Sequence, residues 1–188
     1  MFAGIIGTAG RKEDSKKINR NLYFECCKIV LGLIEKYNVK ACVSGGAAFA
    51  DHIAISLFNH KKIEKLFLHL PVEFDIKYKE TQDKYCPGRI ANWYHKNFSK
   101  KCGIDSLQEI KLAIKNGAEM LVTPGFKERN TKVAFDSSIL IALTFGAEAY
   151  IKNGGTQDTC KKFLDLGKEN LIHINLNDLK IYEPGKIN

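Results

Sequence analysis

Asn153-Gly154-Gly155-Thr156-Gln157-Asp158-Thr159 stands between an apolar run, Ser138-Ile139-Leu140-Ile141-Ala142-Leu143-Thr144-Phe145-Gly146, and a segment from Cys160 to Leu166 with helical spacing of apolar residues. The order is strand, glycine turn, helix. Such an order aims free backbone N–H groups, and the positive end of a helix dipole, at one point that suits an anion. Two adjacent glycines let the backbone approach a ligand closely. Thr156 and Asp158 can cap the helix or bind a hydroxyl, and Thr144 and Gly146 at the strand's end join the candidates. Taken alone, the stretch reads equally well as an ordinary strand-to-helix connection.

A similar junction occurs twice more. Phe2 to Ile6 is apolar and runs into Gly7-Thr8-Ala9-Gly10-Arg11, after which the pattern predicts a helix over 15–37. Ala41 to Val43 runs into Ser44-Gly45-Gly46-Ala47-Ala48-Phe49-Ala50-Asp51-His52, followed by a helical Ile53 to Phe58. Three such turns gather at the carboxyl edge of a parallel sheet, where open α/β sheets bind ligands. Glycines that only shorten connections would look the same one at a time. Three together point to a site.

The rest of the chain fits that scheme. Strands alternate with helices, which argues for a Rossmann-like α/β three-layer sandwich: a mainly parallel central sheet with helices on both faces. Lys65 to Leu70 reads as a strand stopped by Pro71. Asp105 and Ser106 open a helix carried by Leu107, Ile110, Ala113 and Ile114, and Gly117 ends it. Glu119 to Thr123 is a short strand, 127–134 a helix, and 171–176 a last strand. One region, 75–103, breaks the alternation. It is rich in Lys and Tyr, and its later half, 90–98, reads as a helix carrying Trp93, Tyr94 and Phe98. Those aromatics fit a core or a stacking platform, and a long insertion beside the ligand edge fits a lid.

Composition narrows the classes. A chain of 188 residues with 45% hydrophobic content makes one domain with a real core. No apolar run reaches the ~20 residues of a membrane span, and the amino terminus lacks a signal-peptide pattern. Membrane association is not expected. Six cysteines without a CxxC pair or metal-ligand spacing imply a reducing, cytoplasmic setting, with no metal and no cofactor expected. The formal charge of +8 invites a nucleic-acid reading, but the lysines are spread along the whole chain and no nucleic-acid-binding motif accompanies them. Solubility and attraction for small phosphates account for it better.

Three short patterns now acquire a common meaning. Glu128-Arg129-Asn130 precedes the strand from Ser138, Asn153-Gly154-Gly155-Thr156 follows it, and Ser44-Gly45-Gly46-Ala47-Ala48-Phe49-Ala50-Asp51 forms the second turn. In this order they resemble the SLOG superfamily of Rossmann-like nucleotide-binding proteins. That group includes the cytokinin-activating, lysine-decarboxylase-like phosphoribohydrolases and DNA-processing protein A. The resemblance covers most of the chain except 75–103. It implies that Arg129 is the substrate-binding, catalytic arginine, that a nucleotide or nucleotide-derived molecule is bound, and that the protein forms a homodimer or higher homo-oligomer.

The departures bear on catalysis. Where the phosphoribohydrolases carry a glutamate in this loop, the chain has Thr159, with Asp158 one position earlier. Asp158 is a candidate acid or a first-turn residue favoured by the helix dipole. Glu148, on the loop after the strand, is a second candidate acid. The expected ligand contacts are the amides of Gly7, Thr8, Ala9 and Gly10, then Arg11, then Ser44, Gly45, Gly46 and Asp51. Arg129, Asn130, Thr144 and Gly146 follow, with Gly154, Gly155, Thr156 and Asp158 completing the third turn. Arg11 reads as a phosphate contact or a solvated charge. His52 reads as structural or ligand-facing. The expectation is a nucleotide sensor or sequestering protein. Its alternatives are a hydrolase cutting the N-glycosidic bond of nucleoside 5′-monophosphates, through Arg129 and Asp158, and a DNA-handling protein.

Overall fold

The computed structural model describes residues 1–80 and 86–187. Its sheet is built from β1 (Phe2–Gly7), β2 (Ala41–Ser44), β3 (Lys65–Leu70), β4 (Glu119–Val122), β5 (Ile139–Thr144), β6 (Leu171–Asn175) and β7 (Ile181–Tyr182). The spatial order is β4-β3-β2-β1-β5-β6-β7. The first six strands pair in parallel, and β7 runs antiparallel to β6. Beside α1 (Asp14–Lys17), the helices are α2 (Arg20–Lys36), α3 (His52–Asn59), α4 (Pro87–Cys102), α5 (Ser106–Lys115), α6 (Phe126–Asp136) and α7 (Gly155–Asp165).

Handedness sorts these helices into two layers. From β1 the chain steps outward through β2 and β3 to β4, then returns beside β1 and steps the other way through β5 to β6. Right-handed crossovers in opposite directions put their helices on opposite faces. One core accordingly joins Ile5, Leu66, Leu68 and Ile141 of the sheet to Val30 of α2, Ile53 of α3, Phe98 of α4 and Ile110 of α5. The other joins Ile6, Val43, Leu140 and Ala142 to Val133 of α6 and Phe163 of α7. This is the Rossmann-like three-layer sandwich expected of the alternating pattern. Among the described residues no helix is long and apolar enough to cross a membrane.

Several elements differ from expectation in bounds. The helix expected over 15–37 is interrupted at Ile18, whose backbone is extended, and restarts because the Asn19 side chain accepts the Leu22 N–H at 3.0 Å. Helix α7 begins at Gly155, inside the glycine turn, rather than at Cys160. The two-residue β7 had no sequence signal. In the region 75–103, residues 81–85 lie outside the described residues, and α4 is longer than the expected 90–98. One face of it is packed: His95, Phe98 and Cys102 are buried. Cys26, Cys42, Cys102 and Cys160 are buried free thiols, and burial pushes Cys26 and Cys42 up to about 12. They behave as small core residues, not as nucleophiles.

Candidate functional site

The sheet's order reverses between β1 and β5, and adjacent strands diverging there open a crevice at their carboxyl ends. A cleft of about 400 Å³ occupies that position. Gly7, Thr8, Ala9 and Arg11 line it from the first turn, Ala47 and Asp51 from the second, and Asn153 to Thr156 from the third. The three glycine turns therefore meet, because β2, β1 and β5 are neighbours running the same way.

Each turn is built differently. In the first, the Gly7 N–H donates to Asp51 Oδ1 at 3.1 Å, the Thr8 N–H to the Leu143 carbonyl at 3.0 Å, and the Gly10 N–H to Thr8 Oγ1 at 3.1 Å. The expected cradle of free amides from Gly7 to Gly10 is thus a correction: three of them are consumed in holding the turn itself. A side chain on Gly7 would strike the Leu143 carbonyl and Ala50, so this glycine permits close passage of backbone. In the second turn Ser44 Oγ donates to the Asp51 carbonyl at 2.9 Å and accepts the Gly46 N–H at 3.1 Å. Ser44 is therefore a buried brace. Phe49 adopts a left-handed backbone (φ 61°), strained for a bulky residue, while its ring is sealed in the core.

The third turn is the open one. Helix α7 has 11 residues and no side-chain cap on its amino end, where Gly154 takes φ 138°. Gly154, Gly155 and Thr156 line the cleft, so the dipole's positive end is available to an anion. Asn130 Nδ2 donates to the Gly155 carbonyl at 3.3 Å and braces this turn from α6.

Arg129 joins the second turn to the cleft. It is buried, with Nη1 donating to the Gly45 carbonyl at 2.6 Å and lying 3.5 Å from Asp51 Oδ2. Its Nε is buried without a partner. Burial pushes the Asp51 carboxyl above the ordinary carboxylate value, while Arg129 and the N–H groups of Gly7, Ala47 and Gly45 pull it back. Burial likewise lowers the Arg129 guanidinium, with Asp51 opposing and Arg11 assisting, but from a value so high that it stays charged. Gly45 must be glycine because a Cβ there would collide with Arg129 Nη1.

Other expected residues fall outside the cleft. The Asp158 carboxylate pairs with Lys162 Nζ at 2.8 Å and is not among the groups lining the cleft, whereas Thr159 lines it and donates to the Gly155 carbonyl at 2.9 Å. Gly146 packs against the Tyr150 carbonyl, and Glu148 is exposed. His52 is sealed, its Nδ1 sharing a 2.9 Å hydrogen bond with the Tyr23 hydroxyl. Thr144 does line the cleft, its hydroxyl accepting the Lys152 N–H at 3.1 Å.

One pair has no sequence signal at all. Asp14 is buried, accepts Thr8 Oγ1 at 2.8 Å, and takes Lys152 Nζ at 2.5 Å from across the cleft. Thus two carboxylates, Asp14 and Asp51, stand in the cleft in place of Asp158 and can accept from ligand hydroxyls. Among the described residues no group of three or more His, Cys, Asp or Glu side chains could hold a metal ion.

No family model matches this chain, and no solved structure does. It is similar to a protein of Acanthamoeba polyphaga mimivirus bearing the name "Uncharacterized protein R261", with 35% identity over 182 residues, covering 92% of this chain and 94% of the viral one.

Proposed function

Starting from the fact that the chain belongs to the family of the mimivirus protein R261, we propose that it binds a nucleotide or nucleotide-derived phosphate, in the manner of the SLOG proteins, as a sensor or sequestering protein. The observation that carries this reading is the uncapped amino end of α7, opening on a cleft of about 400 Å³ beside the buried, partly unpartnered Arg129. Amides and a helix dipole suit a phosphate. Arg11 and Lys12 on the cleft rim add positive charge, and Asp14 and Asp51 suit ribose hydroxyls.

The test is calorimetry with AMP and UMP beside the matching nucleosides, on the wild type and Thr156→Glu. A carboxylate in the first turn of α7 favours the helix dipole yet repels phosphate. The variant should keep its melting temperature and lose at least about tenfold in affinity for the nucleotides. Equal binding of nucleosides and nucleotides, or an unaffected variant, removes the phosphate from α7.

Binding without turnover is the preferred form of the reading. Thr159 takes the loop position of the hydrolase glutamate, and Asp158 is held by Lys162. General acid–base help is worth ~10²–10⁴-fold, so its lack is measurable. Free base should not accumulate from AMP, GMP, CMP or UMP over hours of chromatographic sampling. Release that disappears in Asp14→Asn would make the protein an N-glycosidic hydrolase using a carboxylate from the opposite wall.

A further inference from the structure

Beside the cleft lies a second, smaller cavity of about 50 Å³. It is lined by the second glycine turn, by the chain from Leu70 to Asp75 that leaves β3, and by the first turns of α4. The two spaces adjoin, for both are lined by Ala9, Arg11, Ala47, Phe126 and Arg129. Their chemistry contrasts. The cleft carries charged groups and helix amides, whereas the inner cavity presents Leu70, Val72, Phe74, Ile90, Ala91 and Phe126.

Several polar groups in its walls are occupied. Asn92 Nδ2 donates to the carbonyls of Asp75 at 3.0 Å and Tyr78 at 3.2 Å. His95 Nε2 donates to the Gly46 carbonyl at 2.9 Å, and its Nδ1 is 3.1 Å from Ser106 Oγ. At the mouth, the Arg11 guanidinium lies over the Tyr94 ring, 5.1 Å from its centroid. A phosphate or a sugar would not be matched by walls so largely apolar. A flat, uncharged ring would, and space for roughly four waters is about the bulk of one six-membered ring.

We propose that this cavity is the ring subsite of the ligand: the nucleobase enters between the second glycine turn and α4, with Arg129 at the junction and the phosphate at the amino end of α7. The inference rests on the nucleotide reading and adds to it how the base is chosen. With walls that are largely apolar, the subsite selects by flatness and lack of charge. One ring fits within, and the second ring of a purine stays at the mouth against Arg11 and Tyr94.

Calorimetry of the full chain with UMP, AMP and ribose 5-phosphate tests this, on wild type and on two cavity-filling variants from opposite walls, Ala91→Phe and Val72→Phe. Wild type should bind UMP at least about tenfold more tightly than ribose 5-phosphate, from the apolar area buried. Either filled variant should bring the two within about twofold by weakening UMP. In parallel, the fluorine resonance of bound 5-fluoro-UMP should lose the shift between H₂O and D₂O that solvent contact produces, a readout that requires no variant. Wild type binding UMP and ribose 5-phosphate equally, or a fluorine that keeps its full solvent shift, overturns the ring subsite and leaves the phosphate site standing. A base preference that survives both fillings does the same. Wild type binding none of the three ligands overturns the nucleotide reading itself.

Discussion

At the scale of single residues, the Arg129–Asp51 contact ties three separate segments: Arg129 from α6, Gly45 and Asp51 from the second turn, and Gly7 from the first. A buried charge that loses its partner costs about 3–5 kcal/mol. Arg129→Ala should therefore lose about that much in urea unfolding, besides any effect on ligand. The double variant Arg129→Met with Asp51→Leu should lose less than the sum of its single changes, since it strands no charge. A loss below about 1 kcal/mol for Arg129→Ala would mean that the pair is solvated. Arg129 was singled out by the resemblance to the SLOG proteins, and it lies beside the cleft. Its dual attachment was not legible, because Gly45 is brought to it by the sheet from 84 positions away. Asp14 escaped for the same reason: its partner Lys152 is 138 positions distant, and no local pattern marks such a pair.

Among the elements, those with strong local chemistry were legible and those defined by contacts were not. The Asp105 cap on α5 is an example of the first kind: the side chain accepts the Gln108 N–H at 3.2 Å, as a short polar residue ahead of an apolar face implies. The break between α1 and α2 is of the second kind. Its 15–37 segment has helical spacing throughout, and the break rests on Asn19 preferring to cap. Asn19→Ala should remove about 0.5–2 kcal/mol of stability, read as a lower urea midpoint with an unchanged slope. Unaltered stability would assign the break to packing around Ile18. The third turn was legible as strand, glycines and helix, but not its inner detail. Which of Asp158 and Thr159 faces the cleft depends on where α7 begins, and a helix turns about 100° per residue.

For the molecule as a whole, the main liability is acid. His52 and His95 are buried and neutral, pushed down from 6.5 to about 3 and about 4 by loss of hydration. His95 also lowers His52, and Glu109 Oε2 lies 3.3 Å from its Nε2. Both histidines bind protons more readily when unfolded, so their contribution is complete above pH 6.5 and is lost as the pH falls from 6.5 towards 4. Asp51 and Glu109, raised by burial, act in the opposite sense at the acid end of that window. Each of these two rings should remove up to about 1.4 kcal/mol per pH unit below 6, and His69 and His173, also lowered by burial, act in the same direction, as urea unfolding at pH 7, 6 and 5 would measure. His95→Gln should make the slope measurably shallower, and a flat profile would place both rings in contact with water. A parallel sheet also has a front and a back. Since β1 starts with Phe2 on the edge opposite the cleft and spans about 20 Å, whatever is joined ahead of Met1 emerges behind the molecule. Protein tethered to a sensor surface through that end would stand with its mouth turned to the flowing solution, which is the orientation a ligand screen requires.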